Sequence, residues 1–202
     1  MTEVSINKTM HLSEHFTLGE LCKTGVKTAD GNIPSHVHIE NLKRVCEWLE
    51  ELRRRYNQQY VCGNEERLVS PPELGGARGG LNEGMSGASS DHPSHTGTPP
   101  NLGGEIDTEE PIIINSGYRS PELNKKVGGS PTSNHLTGCA VDIRVYGIEQ
   151  AMRYAVILMD YADETKQDYD ELLIERNRSG GYWLHFAVRP KDNRRKTMFL
   201  QK

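Results

Sequence analysis

The stretch Ser130–Val145, SPTSNHLTGCAVDIRV, passes from small turn-forming residues into an apolar run, with His135 in the first part and Asp142 in the second. Cys139 to Val145 reads as a strand, and period-two alternation puts Asp142 on one face with Ala140 and Arg144, opposite Val141 and Ile143. A carboxylate set this closely among apolar residues is costly to bury unless a cation or hydrogen bonds accompany it. The strand therefore implies both a sheet to join and a partner for its anion.

Working outward, further strands are expected at Ile112–Ile114, Tyr169–Ile174 and Tyr182–Val188, the last two separated by the turn ERNRSGG. A helix over Ile148–Tyr161 repeats Ile148, Met152, Ala155 and Met159 toward a sheet. Upstream, Ser35–Tyr56 is the clearest helix, with Leu42, Val45, Cys46, Leu49, Leu52 and Tyr56 forming one apolar stripe and Ser35 as its cap. In HLSEHFTLGEL, Thr17 is placed to cap a turn containing Glu20. This order predicts a small α+β domain whose antiparallel sheet is flanked by helices.

Residues 71–107 contrast with all of this. The run is rich in Gly, Pro, Ser and Thr, has no apolar period, and reads as a flexible insertion within one domain spanning 11–190. Residues 1–10 and 191–202 read as terminal extensions. His92 and His95 within the insertion are a possible ligand pair, but exposed histidines explain the spacing better.

Composition narrows the function classes. The chain has 202 residues, 35% hydrophobic, with 20 glycines, 10 prolines and a formal charge of -4. That balance gives no general case for nucleic acid as a partner. Arg53–Arg55 and the tail RPKDNRRK read as solvated surface, with the tail as an alternative holder of an anionic ligand. Cys22, Cys46, Cys62 and Cys139 form no C-x-x-C pair, and Cys46 and Cys139 read as small buried hydrophobes. The opening residues contain no apolar signal core and no stretch approaches transmembrane length. A monomer without membrane insertion is expected. It would accumulate in the cytoplasm and reach an outer substrate by other means.

Alternation in the last strand before the tail puts Trp183, His185 and Ala187 on one face, with Leu184 and Phe186 on the other. Two histidines and one aspartate around a zinc ion, leaving a position for water, would answer the cost of burying Asp142. Spacing alone also admits His135 as a loop residue, Asp142 as a salt-bridge residue and His185 as a polar strand residue. Arg119 follows the turn Asn115-Ser116-Gly117-Tyr118 and is placed to fork onto a carboxylate or oxyanion, or to pair with Glu122 at the surface. For a general base, Glu175 ends the DELLIE run, with Asp170 and Glu171 as competitors.

INSGYRSPELNKKVGGSPTSNHLTGCAVDI, followed by DELLIE and YWLHFAV, resembles the zinc D-Ala-D-Ala carboxypeptidases of peptidase family M15, and within it the small phage and prophage-type enzymes. LSEHFTLGEL and the helix near His38 resemble the opening of that group. The resemblance implies a hedgehog/D-Ala-D-Ala-peptidase-like fold and cleavage of peptidoglycan stem peptides next to D-amino acids. It implies one Zn²⁺ held by His135, Asp142 and His185, and Arg119 at the transition state. Tyr118, Ser133 and Asn134 would shape the substrate cleft. Branches that carry their acid three residues before the last histidine have no counterpart here, because that position is Tyr182. The phage-like branch assigns the base to Glu175. The departure at Tyr182 leaves a non-catalytic wall-binding or phage structural module as the alternative.

Overall fold

The computed structural model describes residues 7–61 and 109–201. The insertion expected at 71–107, with His92 and His95, and Cys62 lie outside the described residues. Its flanks are tied together: Asn57 Nδ2 donates to the Glu110 carbonyl at 3.1 Å, the Glu110 amide donates to Asn57 Oδ1 at 2.6 Å, and Arg53 pairs with Glu109 at 2.7 Å.

The elements run α1 (Leu18–Leu21), α2 (His36–Tyr56) with a π-helical end at Asn57–Val61, and β1 (Ile114–Ser116). They continue with α3 (Pro121–Lys126), a 3-10 turn (Asn134–Thr137), β2 (Ala140–Arg144), α4 (Ile148–Thr165), β3 (Glu171–Arg176), β4 (Tyr182–Ala187) and β5 (Lys196–Gln201). Thr17 and Glu20 form the expected capping box, and Ser35 is the N-cap of α2. The sheet order is β1-β2-β4-β3-β5. The α+β class holds, but the sheet is mixed, because β5 pairs with β3 in parallel while the other pairings are antiparallel.

That fifth strand corrects the view of 191–202 as an extension. KTMFLQ is short and follows a run of charge, so no local signal announces it. It is fastened by long-range bonds instead, with the Arg195 amide donating to the Tyr169 carbonyl at 2.9 Å and the Lys196 amide to the Asp170 carbonyl at 3.1 Å.

One face of the sheet builds the core. Val141, Ile143, Leu172, Leu184 and Phe186 are buried beneath α2 and α4, where α2 contributes Leu42, Val45, Trp48, Leu49 and Leu52. Trp48 lies 5.3 Å from Phe186 and 4.8 Å from Tyr161, centroid to centroid. Each such large side chain taken from water contributes about 1.5–3 kcal/mol, so this layer carries most of the drive to fold. On α4 the buried face is Ala151, Tyr154, Ala155, Leu158 and Ala162. Ile148 and Met152, expected to face the sheet, are 39% and 55% exposed. The buried stripe, which also takes in Ile157, runs instead at a different phase of the helix from the expected one. No helix among the described residues is long and apolar enough to cross a membrane.

Candidate metal centre

Alternation that sends Val141 and Phe186 into the core sends their neighbours to the opposite face of the sheet. Asp142 stands directly across from His185, which in turn faces Leu173; Ser116 faces Asp142 from β1. His135 comes to this row from the 3-10 turn, whose cap Ser133 accepts the His135 amide at 3.3 Å. Gly138 ends that turn in the left-handed region at φ 71°, where a Cβ would meet the His38 carbonyl of α2 at 2.6 Å. Asn41 of α2 also donates to the Thr137 carbonyl at 2.9 Å, so the long helix braces the turn.

Two reciprocal bonds fix His135 against the preceding loop. The Arg119 amide donates to the His135 carbonyl at 3.1 Å, and His135 Nδ1 lies 2.6 Å from the Gly117 carbonyl. A carbonyl only accepts, so Nδ1 carries the proton and Nε2 offers a lone pair toward Asp142 Oδ1, 3.3 Å away. His185 Nδ1 approaches the same oxygen at 2.9 Å. One donor atom from each of His135, Asp142 and His185 lies within 4.8 Å of the others, and both imidazoles are buried.

The electrostatics follow from that convergence. Burial opposes ionisation of Asp142, but the two imidazoles outweigh it and hold its carboxyl well below the ordinary carboxylate range. Burial lowers the pKa of His135 against the pull of Asp142. For His185 burial acts the same way, but the hydrogen bond to Asp142 and the Glu171 carboxylate 3.6 Å from Nε2 prevail and raise it to about 9. Two buried imidazoles with a carboxylate held toward its ionised form between them make a nitrogen and oxygen donor set that suits one divalent metal ion.

The cluster opens into a cavity of about 780 Å³ that also takes in Arg119, Ser133, Asn134, Glu171 and Glu175. Arg119 Nε donates to Ser116 Oγ at 2.9 Å, and its Nη2 pairs with Asp142 Oδ2. It does not pair with Glu122, which binds Lys126 and the backbone of Ala29. Glu175 is buried on β3 opposite Trp183. Asn134 donates to Asp170 Oδ2 at 2.7 Å and to Glu171 Oε2 at 3.1 Å. Tyr118 is placed otherwise than expected: it is 4% exposed, stacks on His38 at 4.8 Å, and does not line the cavity.

Sequence reasoning missed Lys23 and Thr24, which bring a wall of the cavity from the amino-terminal loop. Arg194, which brings another, was read only as part of the basic tail, solvated or holding an anionic ligand. The tail's arginines are engaged internally, with Arg189 and Arg194 both on the fully buried Asp170 and Arg195 on Asp163 and Asp168. Only the density of arginine in RPKDNRRK hinted at this.

A family model described as Peptidase M15 matches residues 102–167, the span that carries Arg119, His135 and Asp142. No curated protein matches the chain. His185 lies outside the matched span, yet the sheet register delivers it to the residues inside that span. A metal-competent His-Asp-His cluster is thus assembled around the segment that matches the Peptidase M15 model, about a third of the chain.

Proposed function

We propose that the chain is a zinc-dependent peptidoglycan peptidase hydrolysing peptide bonds next to D-amino acids, as a carboxypeptidase or a cross-link endopeptidase. One observation carries the reading: His135, Asp142 and His185 converge on the same cavity that presents Arg119 and Glu175. In this reading the three ligand side chains hold one Zn²⁺, which when bound supplies Lewis acidity and an activated water.

The remaining work falls to the chain's own groups. Glu175 receives a proton as the water attacks and returns it to the departing amine. Arg119 offers its guanidinium to the oxyanion that develops at the scissile carbonyl, where a preorganised cation is worth most. Ser133 and Asn134 line the approach. A cavity of about 780 Å³ falls among sites that enclose drug-sized ligands, room enough for a stem peptide. The substrate implies action at the wall, reached from the cytoplasm by release rather than by this domain's own insertion.

Mass spectrometry of purified muropeptides after incubation with the zinc-loaded protein tests the reading. Loss of a terminal D-amino acid or of a cross-link, abolished by a chelator and restored by zinc, is the expected result. A protein that binds zinc yet leaves every muropeptide intact would favour a binding module instead.

A further inference from the structure

Glu171 sits on β3 two residues before Leu173, the residue that faces His185 across the sheet. Its carboxylate meets the edge of the imidazole that points away from the metal cluster: Oε2 is 3.6 Å from His185 Nε2, whereas Nδ1 is the nitrogen 2.9 Å from Asp142. Three other groups hold Glu171 there. Asn134 donates to Oε2 at 3.1 Å, and Arg194 and Lys196 meet Oε1 at 3.0 and 3.3 Å. Arg194 is itself forked onto buried Asp170, through Nε at 2.8 Å and Nη2 at 2.6 Å.

This geometry gives Glu171 a different task from Glu175. A base must face the reacting water, whereas Glu171 faces the far edge of a ligand and is pinned by two cations. An imidazole that binds a metal through one nitrogen carries its proton on the other, and a carboxylate at that proton fixes the tautomer and the ring orientation. His135 has such an acceptor in the Gly117 carbonyl. His185 has the Glu171 carboxylate at its second nitrogen.

We propose that Glu171, anchored by Asn134, Arg194 and Lys196, is the positioning residue that holds His185 as a metal ligand, accepting the Nε2 proton while Nδ1 faces the metal position. The inference rests on the metal-site reading above. It also gives the carboxy-terminal segment a purpose at the site: β5 and the residues before it supply two of the three anchors. Asn134, adjacent to His135, supplies the third, so one carboxylate links the elements that carry both imidazoles.

The test measures zinc affinity of the full chain by competition with a chromophoric chelator, for the unsubstituted protein, Glu171→Ala and Glu171→Gln. Thermal unfolding of the metal-free forms serves as the folding control. Glu171→Ala is expected to bind zinc about tenfold to a hundredfold more weakly. Glu171→Gln, whose amide oxygen accepts the same N–H, should recover most of that loss. In the zinc-loaded unsubstituted protein, long-range ¹⁵N–¹H correlation should place the His185 proton on Nε2. Unchanged affinity in Glu171→Ala, no recovery in Glu171→Gln, or a proton on Nδ1 overturns the proposal. Should Glu171→Ala fail to fold, the tautomer decides. An unsubstituted protein that binds no zinc overturns the metal-site reading itself.

Discussion

Arg119 and Asp142 are joined guanidinium to carboxylate, and the bond uses the one Asp142 oxygen that the imidazoles leave open: Oδ2 pairs with Arg119 while Oδ1 faces both histidines. A single carboxylate thus orients the metal cluster and the cation beside it. Ser116, across from Asp142 on β1, accepts from Arg119 Nε and completes the arginine's seat. Arg119→Lys keeps the charge but loses the planar fork that needs both partners. It should retain zinc while turnover falls by about 10²–10³, the usual cost of removing one oxyanion-stabilising donor. Metal analysis and initial rates on muropeptides check this; wild-type turnover in Arg119→Lys would remove the residue from the chemistry.

Glu175 and His185 separate metal binding from proton transfer. Glu175 is buried in the cavity wall without belonging to the ligand cluster. Glu175→Gln should bind zinc normally and lose about 10²–10⁴ in turnover, the range for a positioned base. His185→Ala should lose metal and activity together. If Glu175→Gln lost zinc as well, the carboxylate would belong to the metal's support and the base would have to be sought elsewhere.

How much of this was legible in the sequence depends on range. That Asp142 shares no face with Val141, nor His185 with Phe186, follows from alternation within each strand, since a pleated strand leaves side chains no third option. That the two then stand opposite one another is set by the β2–β4 register, and the sequence pointed to it through the resemblance. Helix α2 and the Thr17 cap follow from local spacing for the same reason. Tyr118 could not be placed this way, because its burial depends on His38, a residue far off in the chain. Nor could β5: its strand is held by Tyr169 and Asp170 through bonds that no window of neighbouring residues contains. Glu171 was visible only as a rival base; its separate role appears once the orientation of the His185 ring is known.

Asp170 is the buried anion on which the tail closes, and this makes stability depend on pH. Burial opposes its ionisation, but Arg194, Asn134 and Arg189 lower its pKa from 3.8 to about 2. A carboxyl depressed in the folded state contributes its full stabilisation above the unfolded value and loses it as pH falls through the folded value. The shift corresponds to about 2 kcal/mol, present at pH 5 and mostly gone near pH 2. Asp170→Asn should lack that acid-dependent component and, with two arginines stripped of their anion, should be less stable by about 3 kcal/mol at pH 5. Denaturant melts at the two pH values test both statements; an identical acid response in Asp170→Asn would assign the dependence to other carboxyls.

Gly117 places a last constraint on the site, one of space. A Cβ there would lie 2.2 Å from the Leu21 carbonyl oxygen and 2.9 Å from its carbon, and both atoms are backbone. The approach is enforced from the other side by the Tyr118 amide, which donates to that same oxygen at 2.7 Å. Gly117→Ala must therefore push α1 away from the turn or move the turn itself. Forced overpacking of this kind costs about 1–3 kcal/mol, and for a domain of this size each kcal/mol lowers Tm by about 2–4 °C. Movement of the turn carries a second consequence, because the Gly117 carbonyl is the acceptor that keeps the His135 proton on Nδ1. Zinc affinity should fall along with Tm, although the residue supplies no atom to the metal position itself. A drop in Tm with zinc affinity unchanged would show that α1 yields and the turn stays; wild-type values of both would show that the close approach to Leu21 places no demand on this position.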